Sequence, residues 1–311
     1  MTYRAAYGGE GFFHRTASHK EEIGGIWSSC GLSTEWEELK AVLLHSPGSE
    51  IDSLNDPDSV QMIEVLDSER ARNQHHSLSE TYSQMGVRVY FIDPDVTPPP
   101  NLMFQADLFF MTPEGAILAR PASTVRAGEE RLVAKRLAEL GIPILGIIRG
   151  KGVFEGADAA WINPNTVLLG TGLRTNLAGF QQVKSLLNSL GIEVIHVGLP
   201  YGSMHLMGTI RFADKDMAIC WPERVPYDAV SALKDLGFDV FFIPDVTEAL
   251  KGFSLNFVTL KSMHILMSGN NPLTRKFYED LGLNCMTLVI DELLKAAGGI
   301  GCLTGILERG S

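Results

Sequence analysis

Apolar and polar positions along the chain fall into one pattern that recurs five times. Each time a stretch of helical period ends in a glycine, and a short apolar run follows it. The junctions are Gln84-Met85-Gly86-Val87, Glu139-Leu140-Gly141-Ile142, Ser189-Leu190-Gly191-Ile192, Asp235-Leu236-Gly237-Phe238 and Asp280-Leu281-Gly282-Leu283. Glycine in that place is the left-handed residue that ends a helix, and the apolar residues after it open a strand. The five glycines lie 55, 50, 46 and 45 residues apart.

Four of the helical stretches are preceded by two apolar segments joined by a short turn. These pairs are Asp107–Met111 with Ala116–Ala119, Asp158–Ile162 with Thr166–Leu169, Gly208–Phe212 with Met217–Cys220, and Asn256–Leu260 with Met263–Leu266. The first unit is irregular, with one strand, Lys40–His45, ahead of a helix over about Ser59 to Met85. A self-similar period of about 50 residues marks an array of one supersecondary unit. WD40 and kelch propellers have similar periods but no helices, whereas here each unit reads strand, strand, helix, strand. The pattern predicts an α/β protein, a five-bladed propeller of ββαβ repeats around a pseudo-fivefold axis, because ring closure removes exposed sheet edges. A doubly wound α/β sheet is the competing architecture. Residues 1–34 are glycine-rich and lack the period; they read as an N-terminal arm, loose or packed as a lid. Residues 35–311 read as a single domain.

Composition narrows the function. The chain has 311 residues, 45% hydrophobic and 20% charged, enough for an ample core. Its net charge of -11, from 37 acidic and 26 basic residues without a Lys/Arg run, argues against nucleic acid and against anionic membrane surfaces. It suits a cationic small substrate. Four cysteines without CxxC or metal-ligand spacing suggest neither a disulfide framework nor a zinc site. The first residues lack the apolar core of a signal peptide, and no apolar run approaches a membrane span, so a reducing, cytoplasmic location is expected. A homo-oligomer stays open.

Candidate chemistry comes from aligning the repeats on their first strands. One structural position then carries Asp107, Asp158, Met207 or Gly208, and Asn256, with Glu155 and His205 just upstream. In a closed ring these strand starts face one central cavity. Near the C-terminus, four glycines surround a cysteine in Gly298-Gly299-Ile300-Gly301-Cys302-Leu303-Thr304-Gly305. Glycine permits positive φ and close backbone approach, which presents Cys302 to the cavity. Taken singly, His205 reads as a core histidine, Asp107, Asp158 and Glu155 as turn carboxylates, and Arg126 and Arg174 as surface or helix-entry charges. Their coincidence at matched positions points instead to a thiol, an imidazole and carboxylates in one hole.

These residues carry a resemblance. The chain resembles the guanidino-group-modifying enzymes of the pentein fold: arginine and agmatine deiminases, dimethylarginine dimethylaminohydrolases and glycine-type amidinotransferases. The likeness spans roughly residues 35–311 and rests on Gln105-Ala106-Asp107, Phe154-Glu155-Gly156-Ala157-Asp158, Gly172-Leu173-Arg174-Thr175-Asn176, Met204-His205-Leu206, Leu255-Asn256 and the glycine-rich segment around Cys302. It implies that Cys302 is the nucleophile, His205 the general acid and base, and Glu155 a partner of the histidine or the guanidinium. It further implies that Asp107 grips the guanidinium nitrogens, with Asp158 and Asn256 also at the substrate site, and that Arg174 and Arg126 hold a substrate carboxylate. Two departures are visible. The deiminases and amidinotransferases usually have an aspartate where this chain has Met207, and the dimethylarginine hydrolases usually carry Glu-Asp where it has Ala106-Asp107.

The implied chemistry is attack of Cys302 on the guanidino carbon, with no metal or organic cofactor required. Water as the second reactant makes a hydrolase, and an amine makes an amidinotransferase. A papain-type hydrolase would place its cysteine before its histidine, the reverse of the order here. A non-catalytic ring-shaped binding protein is the other alternative, since fold alone does not determine function.

Overall fold

The computed structural model describes residues 3–310. Five three-stranded sheets make five blades. The first combines Gly305–Arg309, Leu39–Leu44 and Arg88–Phe91. The second holds Phe109–Thr112, Gly115–Leu118 and Ile144–Ile147, and the third Ala159–Asn163, Thr166–Thr171 and Glu193–Gly198. The fourth holds Ile210–Asp214, Met217–Cys220 and Asp239–Phe242, and the fifth Val258–Lys261, His264–Ser268 and Asn284–Leu288. In every blade the middle strand pairs antiparallel with the first and parallel with the third. A parallel pair needs a crossover. The five helices Ser68–Gln84, Glu129–Glu139, Leu177–Ser189, Tyr227–Asp235 and Pro272–Asp280 supply it.

All five helices end as their sequences predict. Gly86, Gly141, Gly191, Gly237 and Gly282 have φ of 80°, 71°, 76°, 86° and 90°. The residue after each donates its N–H back across the last turn, at 2.9 to 3.0 Å. That is the Schellman arrangement, which satisfies otherwise orphaned carbonyls and turns the chain into the outer strand.

The first blade explains its own irregularity. Its missing strand is Gly305–Arg309, which pairs antiparallel with Leu39–Leu44 and so joins the C-terminal segment to the first repeat. Its helix begins at Ser68, later than the sequence pattern suggests, because the Asp67 carboxylate accepts the Arg70 N–H and caps the helix there. Neighbouring blades touch all the way round. Gly305–Arg309 meets Phe109–Thr112, and the turn Gly156–Asp158 lies on that same strand. Ala159–Asn163 meets the turn Leu206–Gly208, Ile210–Asp214 meets Val258–Lys261, and Val258–Lys261 meets Leu39–Leu44. The ring is closed, and the fold is the pentein propeller. The core fills the space between sheets and helices. Trp161, fully buried, stacks on Phe110 with ring centroids 5.6 Å apart and donates its indole N–H to the Met111 carbonyl at 3.1 Å.

The described part of the arm packs against the first and second blades. Gly31 exchanges backbone hydrogen bonds with the last strand, donating to Leu307 and accepting from Arg309, while Ser28 donates to the Gly141 carbonyl. Cys30 and Leu32 join the core. Among the described residues, none of the arm lines the cavities that hold Cys302 and His205. No described helix is long and apolar enough to cross a membrane.

Candidate active site

One small turn, repeated five times, builds the site. Ahead of each blade's innermost strand, a backbone N–H donates to the carbonyl three residues earlier. The pairs are Asp107 to Phe104 at 3.4 Å, Asp158 to Glu155 at 3.0 Å, Gly208 to His205 at 3.2 Å, Asn256 to Phe253 at 2.8 Å and Thr304 to Gly301 at 3.2 Å. The sequence alignment of Asp107, Asp158, Gly208 and Asn256 is therefore a real structural equivalence. It also explains why Glu155 and His205 lie three residues upstream: they open the same turn that Asp158 and Gly208 close. Cys302 sits inside the fifth copy, in the helical turn Ile300–Leu303.

The glycines around Cys302 serve close approach rather than positive φ. A Cβ on Gly298 would lie 2.3 Å from the Phe104 ring, one on Gly299 2.9 Å from the Asn256 side chain, and one on Gly301 2.9 Å from Asn256 Oδ1. The bare backbone lets Asn256 clamp the cysteine. Asn256 Nδ2 donates to Cys302 Sγ at 3.1 Å, and the Cys302 N–H donates to Asn256 Oδ1 at 3.1 Å. Burial, reinforced by the charge of Asp107, pushes the thiol up to about 11, against the Gly299 backbone, Asn256 and the Arg211 guanidinium.

His205 Nε2 donates to Glu155 Oε2 at 2.6 Å and lies 3.8 Å from Asp107 Oδ1. Burial opposes charge on this imidazole. Asp107, the bond to Glu155, and Asp158 outweigh it and raise its pKa to about 9, so His205 is an imidazolium near neutrality. Glu155 is fully buried, yet His205, Arg126 and Arg174 hold it well below the usual carboxylate range. Its Oε1 also accepts the Ala122 N–H at 3.0 Å and an Arg174 N–H at 3.3 Å.

The remaining candidates divide into two groups. Asp107 faces the cavity: its Oδ2 accepts from Arg126 Nη1 at 2.6 Å, while its Oδ1 is buried without a partner. Arg126 and Arg174 line the same cavity. Arg126 is held by three carboxylates, those of Asp107, Glu129 and Glu155 at 2.6, 2.8 and 3.6 Å. Asp158 lies behind the site and lines no part of that cavity. Its oxygens accept the Thr175 hydroxyl at 2.6 Å and the Leu206 N–H at 3.0 Å, which fastens the turn carrying His205; burial pushes its pKa up to about 6. Asp107, Glu155 and His205 each place one ligand atom within 4.8 Å of the others. The Arg126 guanidinium already supplies positive charge there.

Cys302 and His205 line two cavities that meet between them. The polar one is bordered by Gln61, Asn101, Asp107, Arg126 and Arg174, the apolar one by Met207, Trp221, Leu250 and Phe253. Sequence reasoning missed Gln61, Asn101, Arg211, Trp221, Leu250 and Phe253, and named Met207 only as an aligned strand start and a departure from the resemblance. Asn101 carried one usable signal: Asn-Leu-Met-Phe stands directly before Gln-Ala-Asp. Its Nδ2 donates to the Val60 carbonyl at 2.7 Å, and its Oδ1 is buried without a partner.

A five-bladed ring whose hub gathers a clamped thiol, a charged imidazole and carboxylates defines a class, and comparison with known proteins identifies it. The arginine deiminase family model matches residues 31–236, and the chain belongs to that family. The matched stretch contains Asp107, Glu155 and His205 and ends before Asn256 and Cys302. Among curated proteins, the chain is similar to an N(G),N(G)-dimethylarginine dimethylaminohydrolase of Streptomyces coelicolor, 26% identical over 242 residues, which covers 78% of this chain and 87% of the relative. A namesake from Mycobacterium tuberculosis is 25% identical over 244 residues, covering 77% of this chain and 76% of the relative. Among solved structures, a cysteine-to-serine dimethylarginine dimethylaminohydrolase of Pseudomonas aeruginosa complexed with citrulline has a TM-score of 0.73 at 21% identity, covering 87% of this chain and 100% of the other. An amidinotransferase of saxitoxin biosynthesis from Microseira wollei has a TM-score of 0.74 at 15% identity, covering 91% and 98%.

Proposed function

We propose that this protein is a cysteine-dependent hydrolase of the guanidino carbon of arginine or a substituted arginine. The observation that carries this reading is the junction of the two cavities, where the Asn256-clamped Cys302 and the Glu155-bonded His205 face the same space.

A guanidinium fits the polar side. Its planar N–H groups suit Asp107 Oδ1, which accepts no hydrogen bond, and the Arg174 guanidinium lining the same cavity has the charge that a substrate carboxylate needs. Binding a cation beside Cys302 favours the thiolate, whose proton leaves to solvent. Sγ then bonds to the guanidino carbon. The His205 imidazolium gives its proton to the departing nitrogen, that C–N bond breaks, and an amidino-thioether remains on Cys302. Neutral His205 next takes a proton from water, and the hydroxide adds to the carbon. The new hydroxyl then loses its proton to solvent as C=O forms, the C–S bond breaks, and a citrulline-like urea is released with the thiolate and the His205 imidazolium restored. Glu155 orients His205 throughout, and Asp158 holds its turn. No step calls on a metal or organic cofactor.

Replacing water with an amine gives an amidinotransferase, a reading that the apolar cavity beside Cys302 favours, since it has room for the body of an acceptor. Product mass spectrometry separates the two. Arginine, methylated arginines, agmatine and guanidinoacetate are incubated with and without an amine. Hydrolysis is expected to give a urea whether or not the amine is present. A transferred amidino group instead establishes the second reading. No reaction with any substrate would overturn both.

A further inference from the structure

The space beside Cys302 and His205 has two unlike halves, one polar and one apolar. The apolar half measures about 250 Å³ against about 20 Å³ for the polar half. Its wall is formed by Ile63, Met204, Met207, Trp221, Leu250 and Phe253. Three of these, Ile63, Met204 and Leu250, are 57%, 37% and 47% exposed, so the apolar surface runs out to the rim. Among the described residues lining this half, Arg224 is the one charged residue besides His205, and its guanidinium carbon lies over the Trp221 ring, 4.2 Å from the centroid. Met207 occupies the place two residues after His205. A carboxylate there would grip a second guanidinium edge; the thioether offers only dispersion and hydrophobic contact.

Backbone strain gathers at the same place. Among the described residues four non-glycine residues have positive φ, and three of them, Gln61, Phe253 and Ala297 at 63°, 50° and 71°, border the cavity. Phe253, an aromatic residue in the left-handed region, also accepts the Asn256 N–H, so its strain is tied to the cysteine clamp. Strain of this kind persists where surrounding structure enforces a functional shape.

We propose that the apolar half receives a bulky hydrocarbon group, of butyl to benzyl size, carried on the guanidino nitrogen that departs. The proposal rests on the guanidino-hydrolase reading and names its substrate class. The unsubstituted guanidino edge lies toward Asp107, and the amino-acid end runs outward past Arg174, because the polar half itself has room for little more than that edge. The reacting carbon sits at the junction beside Cys302, and the substituted nitrogen points past His205 toward Trp221 and Leu250. The bond that breaks joins the guanidino carbon to that nitrogen. His205 supplies its proton, so the product leaving through the apolar half is an alkyl or arylalkyl amine. Hydrogen or methyl on that nitrogen would leave the apolar wall uncovered.

The test is a series of arginines bearing hydrogen, methyl, butyl or benzyl on the terminal nitrogen. Each is scored for kcat/KM with the wild-type protein and for calorimetric binding to Cys302→Ser. Both quantities are expected to rise along the series, by about tenfold or more from hydrogen to benzyl. Leu250→Asp, a change at an exposed helix position, is expected to lose that rise. A flat or falling binding series, absence of binding included, overturns the proposal; turnover of arginine alongside it leaves guanidino hydrolysis standing. A rising binding series with no amine released by the wild-type protein sinks hydrolysis and leaves the apolar assignment intact.

Discussion

At the residue scale, the proposed chemistry turns on two protons that stand in unusual places. His205 keeps its proton up to about 9, because carboxylates outweigh its burial, while the Cys302 thiol keeps its own up to about 11. The reactive form has the imidazolium and the thiolate together. In the free protein it is a minor species, formed most between the two values. The profile of kcat/KM against pH is therefore expected to be a bell with limbs near about 9 and about 11, belonging to the pair. In Glu155→Gln the acid limb is expected to move down, because His205 loses a charge that raises its pKa. A bell centred near neutrality would contradict this protonation scheme. Asn256 acts on the other proton. Its Nδ2 donor at 3.1 Å from Sγ stabilises the thiolate, so Asn256→Leu is expected to lower kcat by about tenfold to a thousandfold, with the thiol pKa raised in an alkylation-rate profile.

At the scale of elements, five short turns serve as five arms. Their hydrogen bonds are alike, and the side chains they present differ: Asp107, Glu155 with Asp158, His205, Asn256 and Cys302. A defect in the turn should therefore damage catalysis before it damages the fold. Gly301→Ala is the cleanest case, since the added Cβ meets Asn256 Oδ1 at 2.9 Å and must displace the clamp. Activity is expected to fall by roughly a hundredfold, with a thermal midpoint close to wild type; unchanged kcat would show that the clamp is dispensable. These turns were legible because their period is. Glycine caps mark the ends of the five crossover helices, and each is followed 17 to 22 residues later by the turn that opens the next inner strand, at Asp107, Asp158, Gly208, Asn256 and Thr304. The facing of a side chain was not legible. Asp107 and Asp158 read alike in sequence, yet one lines the cavity and the other ties Thr175 to Leu206 behind it. The apolar wall escaped notice because Trp221 is distant in the chain from Leu250 and Phe253, and each alone reads as core.

At the scale of the whole molecule, closure of the ring brings the first and last segments together. The blade that looked one strand short in sequence takes that strand from Gly305–Arg309, a partner too distant along the chain for any local pattern to reveal. The same closure buries the charged hub, which makes stability depend on pH. His205 holds a proton to about 9 when folded and to about 6.5 when unfolded, so its contribution is full below about pH 6.5 and lost as pH rises through about 9. Asp158 and Glu129, pushed up to about 6 and about 7 by burial, act in the same direction over lower windows. Buried His75, held down to about 3, acts the opposite way below about pH 6.5, so the thermal midpoint is expected to decline from about pH 6.5 to about pH 9, and His205→Gln is expected to flatten that decline. The central claim is that the hub makes a covalent bond to the guanidino carbon through one sulfur. Acid-quenched protein, taken during turnover of an arginine-type substrate and digested, is expected to carry the amidino adduct mass on the peptide containing Cys302 and on none containing Cys30, Cys220 or Cys285. Turnover that persists in Cys302→Ser, or an adduct on another cysteine, would contradict it.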